Sequence, residues 1–107
     1  MVKEVVWSEI AELQIKLISE LYELQSSKLK AKNLIKEIVT SSMVLKKFPE
    51  LGTKQEVYPA RNYYYRYILT GHYKLIYFIS NQSIVIATVF DTRQNPEKLN
   101  IFLNENF

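Results

Sequence analysis

The sequence predicts an α+β fold: an N-terminal strand, a helical hairpin, then an antiparallel three- to four-stranded meander closed by a short C-terminal helix. Three observations carry this. The segments Tyr64–Leu69, Tyr73–Ile79 and Ile84–Phe90 are rich in aromatic and β-branched residues and are separated by the turn-tolerant pairs Thr70-Gly71 and Asn81-Gln82. Upstream, apolar residues recur at helical spacing on both sides of Ser26-Ser27. Downstream, Asn95-Pro96 precedes Leu99, Phe102 and Leu103, a capped helical start followed by a helical stripe.

Taken in order, Val2–Trp7 is a short β-prone run that hands over to a helix at Ser8, whose hydroxyl suits an N-cap. Ile10, Leu13, Leu17, Leu21 and Leu24 then fall at spacings of three and four, which predicts that this stripe faces the core. Ser26-Ser27 offers a second cap. After it, Leu29, Leu34, Ile35, Ile38, Val39, Met43 and Leu45 restart the stripe, Lys28, Lys32 and Lys36 form an outer ladder, and Pro49 and Gly52 close the helix down. Lys54–Pro59 is expected to add at most a brief strand, and Arg61-Asn62 reads as loop.

At 107 residues the chain is expected to form a single domain over 1–107, with no repeat or linker to support a second. Its 48% hydrophobic and 13% aromatic content supplies enough apolar area to offset the entropy of ordering the chain. The absence of cysteine excludes disulfides, thiolate nucleophiles and cysteine metal sites. No window approaches the ~20 apolar residues of a membrane span, and a cytoplasmic protein is expected. The net charge of +3 permits an anionic partner without demanding one. No cluster of metal ligands and no cofactor motif stands out, so neither metal nor cofactor is expected.

If Thr70-Gly71 and Asn81-Gln82 are two-residue loops, Leu69 pairs with His72 and Ser80 with Ser83, and the faces of the sheet follow by alternation. One side collects Tyr64, Arg66, Ile68, Tyr73, Leu75, Tyr77, Ile79, Ile84, Ile86, Thr88 and Phe90, a surface suited to receive the helices. The other collects Tyr63, Tyr65, Tyr67, Leu69, His72, Lys74, Ile76, Phe78, Val85, Ala87 and Val89, with Asp91 and Arg93 joining if the strand runs on regularly. A register slip or a bulge would exchange these sets.

The run Tyr65-Arg66-Tyr67, then Gly71-His72-Tyr73-Lys74-Leu75-Ile76-Tyr77, then Val85–Phe90 and Asp91-Thr92-Arg93-Gln94-Asn95-Pro96, resembles the RelE/ParE superfamily of bacterial type II toxins. The resemblance covers the second half closely, and the first half agrees in the order of its elements. It implies a toxin neutralised by a cognate antitoxin in a toxin-antitoxin hetero-oligomer, of the kind associated with plasmid stabilization. Some members cleave messenger RNA on the ribosome as mRNA interferases, whereas others inhibit DNA gyrase without being nucleases. A third possibility is a non-toxic relative that only binds an antitoxin or another protein.

The resemblance places Lys74 where RNA-cleaving relatives carry a basic residue in the middle strand, and Arg93 where they carry an arginine just past the last strand. Cleavage by the 2′-hydroxyl requires a base, an acid for the leaving 5′-oxygen, and positive charge for the phosphorane. Lys74 and Arg93 suit the last role, and His72, Tyr65 or Tyr67 the proton transfers. The chain lacks the dense lysine cluster that some ribosome-dependent members carry before the meander, having only Lys54 and Arg61 there. Each candidate also has a plainer reading. A histidine at the foot of a hairpin is more often a turn residue than a base, Arg93 is within reach of a surface ion pair with Asp91 or Glu97, and alternate tyrosines are ordinary sheet packing. Arg66, on the helix side, is expected to be structural.

Overall fold

The computed structural model describes residues 3–59 and 63–107, so the expected strand residue Val2 and the loop at Arg61-Asn62 lie outside the described residues. Strand β1 (Glu4–Trp7) leads into helix α1 (Glu9–Gln25), and α2 (Lys28–Met43) packs against α1 before a 3₁₀ turn at Val44–Lys46. The caps are those the sequence indicates. Ser8 Oγ accepts from the Ala11 N–H and Ser27 Oγ from the Lys30 N–H, each satisfying a donor of a first helical turn. Strands β2 (Thr53–Lys54), β3 (Arg66–Thr70), β4 (Tyr73–Ser80) and β5 (Ser83–Asp91) complete the sheet. Helix α3 (Pro96–Asn106) opens on Pro96, with Asn95 Oδ1 accepting from the Glu97 N–H. Among the described residues no helix is long and apolar enough to cross a membrane.

The strand order is β1-β5-β4-β3-β2, with β1 parallel to β5 and every other pair antiparallel. The second hairpin turns at Asn81-Gln82 with Ser80 opposite Ser83, as expected, and Asn81 takes φ 52°. The first hairpin differs. Thr70, not Leu69, closes the ladder, opposite Tyr73, and the loop is Gly71-His72. Gly71 has φ +57°, the left-handed backbone that a tight hairpin loop needs and that glycine adopts at no steric cost. Leu69 therefore pairs with Lys74, two residues from the expected partner, and a shift of two leaves the faces of β3 and β4 unchanged.

The decisive departure is in β5. Ile76 is opposite Thr88 and Tyr77 is opposite Ile86, so Ala87 has no partner on β4 and β5 bulges. Helix α1 supports the bulge. Ser8 Oγ donates to the Ala87 carbonyl at 2.8 Å, the Val89 N–H donates to Gln14 Oε1 at 2.7 Å, and Gln14 and the Thr88 hydroxyl are hydrogen-bonded at 2.8 Å. Backbone groups that the extra residue removes from the ladder are thus satisfied by two side chains of the helix above. Beyond the bulge the alternation inverts. Val89, expected on the outer face, packs with Leu75 and Ile38 under the hairpin, and Phe90, expected under the hairpin, packs on the opposite side.

The sheet is covered on both faces. Under α1 and α2 lie Tyr73, Leu75, Tyr77, Ile84, Ile86 and Val89, and against the other face α3 lays Leu99, Phe102 and Leu103 over Tyr65, Ile76, Phe78 and Ala87. Tyr77 Oη donates to the Pro49 carbonyl and accepts from the Gly52 N–H, tying down the loop after α2. A Cβ at Gly52 would come within 2.6 Å of that hydroxyl, so the approach requires glycine. Arg66 takes the expected structural role, donating to the carbonyls of Glu50 and Gly52.

Helix α1 overturns one expectation. The one residue it fully buries is Ala11, with Gln14, Ile15 and Ile18 half-buried on the same side, whereas Leu13, Leu17, Leu21 and Leu24 are 54–86% exposed. The apolar side of α1 is wider than its contact with the sheet, and the shorter side chains occupy the contact. On α2, similarly, Leu34, Ile35 and Ile38 point inward and Leu29, Val39 and Met43 outward.

Candidate functional site

The candidates from the sequence divide between two places. Lys74 points to the α3 side of β4, since its neighbours Tyr73 and Leu75 pack under the hairpin. Its Nζ lies 4.2 Å from the centroid of the Tyr67 ring and donates to Gln55 Oε1 at 3.1 Å. Burial against these neighbours holds the ammonium below the ordinary lysine value. Gln55 is set by β2, whose pairing with β3 continues through the Gln55 N–H to the Tyr65 carbonyl. The loop that follows is fastened to α3: the Tyr58 N–H donates to Asn100 Oδ1, and Asn100 and Asn104 both donate to the Tyr58 carbonyl.

Tyr65 is on the same side but is part of the core. It is 2% exposed, with its ring edge-on to Phe78 and near Phe107. Tyr63, by contrast, stacks on Phe78 with ring centroids 4.0 Å apart and remains exposed. A tyrosine sealed beneath α3 cannot reach a polynucleotide, and the proton-transfer role considered for Tyr65 would require that helix to move.

Arg93 is on the other side of the sheet. The bulge sends Asp91 and Arg93 toward α1, where with Leu17, Leu21, Tyr22 and Tyr73 they line a groove of about 300 Å³. Arg93 makes the ion pair anticipated for it: Nε and Nη2 donate to the two oxygens of Asp91 at 3.0 and 2.7 Å. Hydrogen bonding to Arg93, above all, holds the Asp91 carboxyl below its ordinary range. The Tyr73 hydroxyl beside this pair is pushed up, first by burial and then by the Asp91 charge. His72 belongs to this end as well. It is exposed in the hairpin loop, its carbonyl accepts from the Thr92 N–H and hydroxyl, and its side chain is close enough to lower Asp91 slightly.

The fold therefore brings together Lys74 and Tyr67, and adds Gln55, which sequence reasoning missed. It does not bring Arg93, His72 or an accessible Tyr65 to them. The missed partners had some signal: Gln55 follows a two-residue strand opposite Tyr67, and Gln14 is a polar residue set among apolar ones on α1.

A strand, two helices, a meander bulged in its last strand and a C-terminal helix laid on the far face define a small α+β architecture with helices on both faces of the sheet. The family model described as "ParE toxin of type II toxin-antitoxin system, parDE" matches residues 5–96, and the chain belongs to that family. Among solved structures, it is similar to a chain of the chromosomal ParDE toxin-antitoxin system from P. aeruginosa, with a TM-score of 0.72 at 16% identity, over 84% of this chain and 96% of that one. At that identity the likeness concerns the fold. A search of curated proteins gave no match.

Proposed function

We propose that this chain, as one domain in the cytoplasm, is the toxin of a type II pair that disables DNA gyrase by binding to it and is held inactive by a cognate antitoxin. Membership in the ParE family and similarity to a ParDE structure support the pairing. The observation that carries the choice of target is the bulge at Ala87, which leaves Lys74 and Arg93 on opposite sides of the sheet. RNA cleavage needs cationic and proton-transferring groups converging on one phosphate; Lys74 and Tyr67 offer one of each, and Arg93, bound to Asp91 on the α1 side, does not join them. Binding to a protein surface makes no such demand.

Induction in a bacterium, with labelled thymidine and leucine followed in parallel, tests this reading. Thymidine incorporation should fall first, and Lys74→Ala should leave that fall intact. Purified chain should also inhibit supercoiling by gyrase. If leucine incorporation falls first and Lys74→Ala abolishes the effect, the chain is a ribosome-dependent nuclease working from the Lys74–Tyr67–Gln55 side, and the proposal is overturned. Unchanged growth on induction would leave only the non-toxic binding module.

A further inference from the structure

We propose that the outer stripe of α1 is a self-association surface on which a second copy of this chain docks antiparallel, about a two-fold axis through Leu17. The stripe consists of Leu13, Leu17, Leu21 and Leu24, each more than half exposed, and begins at Ile10. Monomeric proteins rarely leave a contiguous apolar surface of this kind open to water. Ile10, Leu17 and Leu24 stand at seven-residue intervals with Leu13 and Leu21 between them, so the five share one side of the helix.

What selects a second copy over another helix is the symmetry of that spacing. Measured from Leu17, Leu13 and Leu21 are four residues away on either side, and Ile10 and Leu24 seven. Reversing the helix about Leu17 lays the stripe on itself: Leu17 meets the partner's Leu17, Leu13 meets the partner's Leu21, and Ile10 meets the partner's Leu24. An interface related by a two-fold axis must be self-complementary in this way. The bordering charges agree. With Leu17 level with itself, the partner's Glu20 is level with Gln14, two residues or about 3 Å of rise from Lys16. Each Lys16 thus gains a carboxylate of the other chain, twice by symmetry. The docked copy would also roof the groove that Leu17 and Leu21 line with Tyr73. The proposal stands whichever target the toxin has.

The absence of native cysteine allows a sharp test. The full chain should sediment at twice its 12.7 kDa mass at micromolar concentration. Under mild oxidation Leu17→Cys should cross-link to a covalent dimer, Leu13→Cys or Leu21→Cys alone should not, and a mixture of the latter two should. Leu17→Glu, at an exposed position, should keep the circular dichroism of the parent and weaken the dimer on the order of 100-fold or more, because a carboxylate would be buried against its own copy. A chain that stays monomeric at tens of micromolar overturns the proposal. So does equal cross-linking by all three single cysteines, which would indicate unspecific association or another geometry.

Discussion

The two faces of the sheet are both covered by helix, yet they are built differently. The hairpin face meets two long helices, and its central residues Leu75, Tyr77, Ile84 and Ile86 are fully buried. The opposite face meets one short helix. Its aromatic cluster is sealed at Tyr65 and Phe78 but opens toward Tyr63, Tyr67 and Lys74, beside a loop pinned at Tyr58 by Asn100 and Asn104. The first face is thus a scaffold, and the second grades from core into accessible surface. The bulge decides which residues belong to which, and the helix that supports it, α1, belongs to the scaffold side.

Core truncation should show the difference most strongly. Leu75→Ala, at a fully buried site under both helices, should cost about 2–5 kcal/mol in urea unfolding. Phe107→Ala, on the α3 side and only partly buried, should cost less than half of that. Equal losses would mean that the two faces contribute alike. Next comes the bulge itself: Gln14→Ala leaves the Val89 N–H and the Thr88 hydroxyl without their partner and should cost about 1–3 kcal/mol. In the same variant, amide exchange at Val89 should accelerate more than at Ile84, and uniform acceleration would deny the bulge its special dependence on α1.

A smaller effect is expected at the loop over the open end. Asn100→Ala removes both of its hydrogen bonds to the Tyr58 backbone and should cost about 1 kcal/mol, with faster exchange at the Tyr58 amide while the hairpin face keeps its protection. The smallest effect concerns the exposed pair beyond the bulge. Hydrogen bonding to Arg93 holds Asp91 below the ordinary carboxylate range, so the unfolded chain takes up that proton first as pH falls. The pair's contribution is present above the ordinary carboxylate range and is lost as pH drops through the lowered folded value. Wild type should therefore exceed Asp91→Asn slightly in stability at pH 7, with the gap closing at pH 2; a gap independent of pH would assign the effect to something other than this ionisation.

Much of the architecture was legible because it rests on local chemistry. Ser8, Ser27 and Asn95-Pro96 cap helices by their own side chains, and Asn81-Gln82 turns because asparagine tolerates positive φ. Two of the misplacements, in α1 and in β5, have a common physical origin in choices made by tertiary packing. Helix α1 carries two adjacent apolar stripes, and nothing in their periodicity states that Ile15 and Ile18 rather than Leu17 and Leu21 meet the sheet. The segment Val85–Phe90 alternates without interruption, so no glycine or proline betrays the extra residue at Ala87. Its signal is 73 residues away, in Gln14, whose amide has no evident use on an apolar face until the bulge is known. The candidate site inherits that difference: Lys74 lies on the face expected of it, whereas Arg93 would share that face only in a regular β5.

The bulge also bears on how such a surface can change over generations. A substitution at Asp91 or Arg93 alters one side chain where it stands. Loss of the single codon for Ala87 would make the ladder regular and leave Val89, Asp91 and Arg93 where they stand, whereas drawing Ala87 into a regular ladder would turn them out from under the hairpin to the side of Lys74, with Phe90 turned in. In this chain whether one residue is paired or bulged, more than the identity of any side chain along the strand, decides which charges can act together.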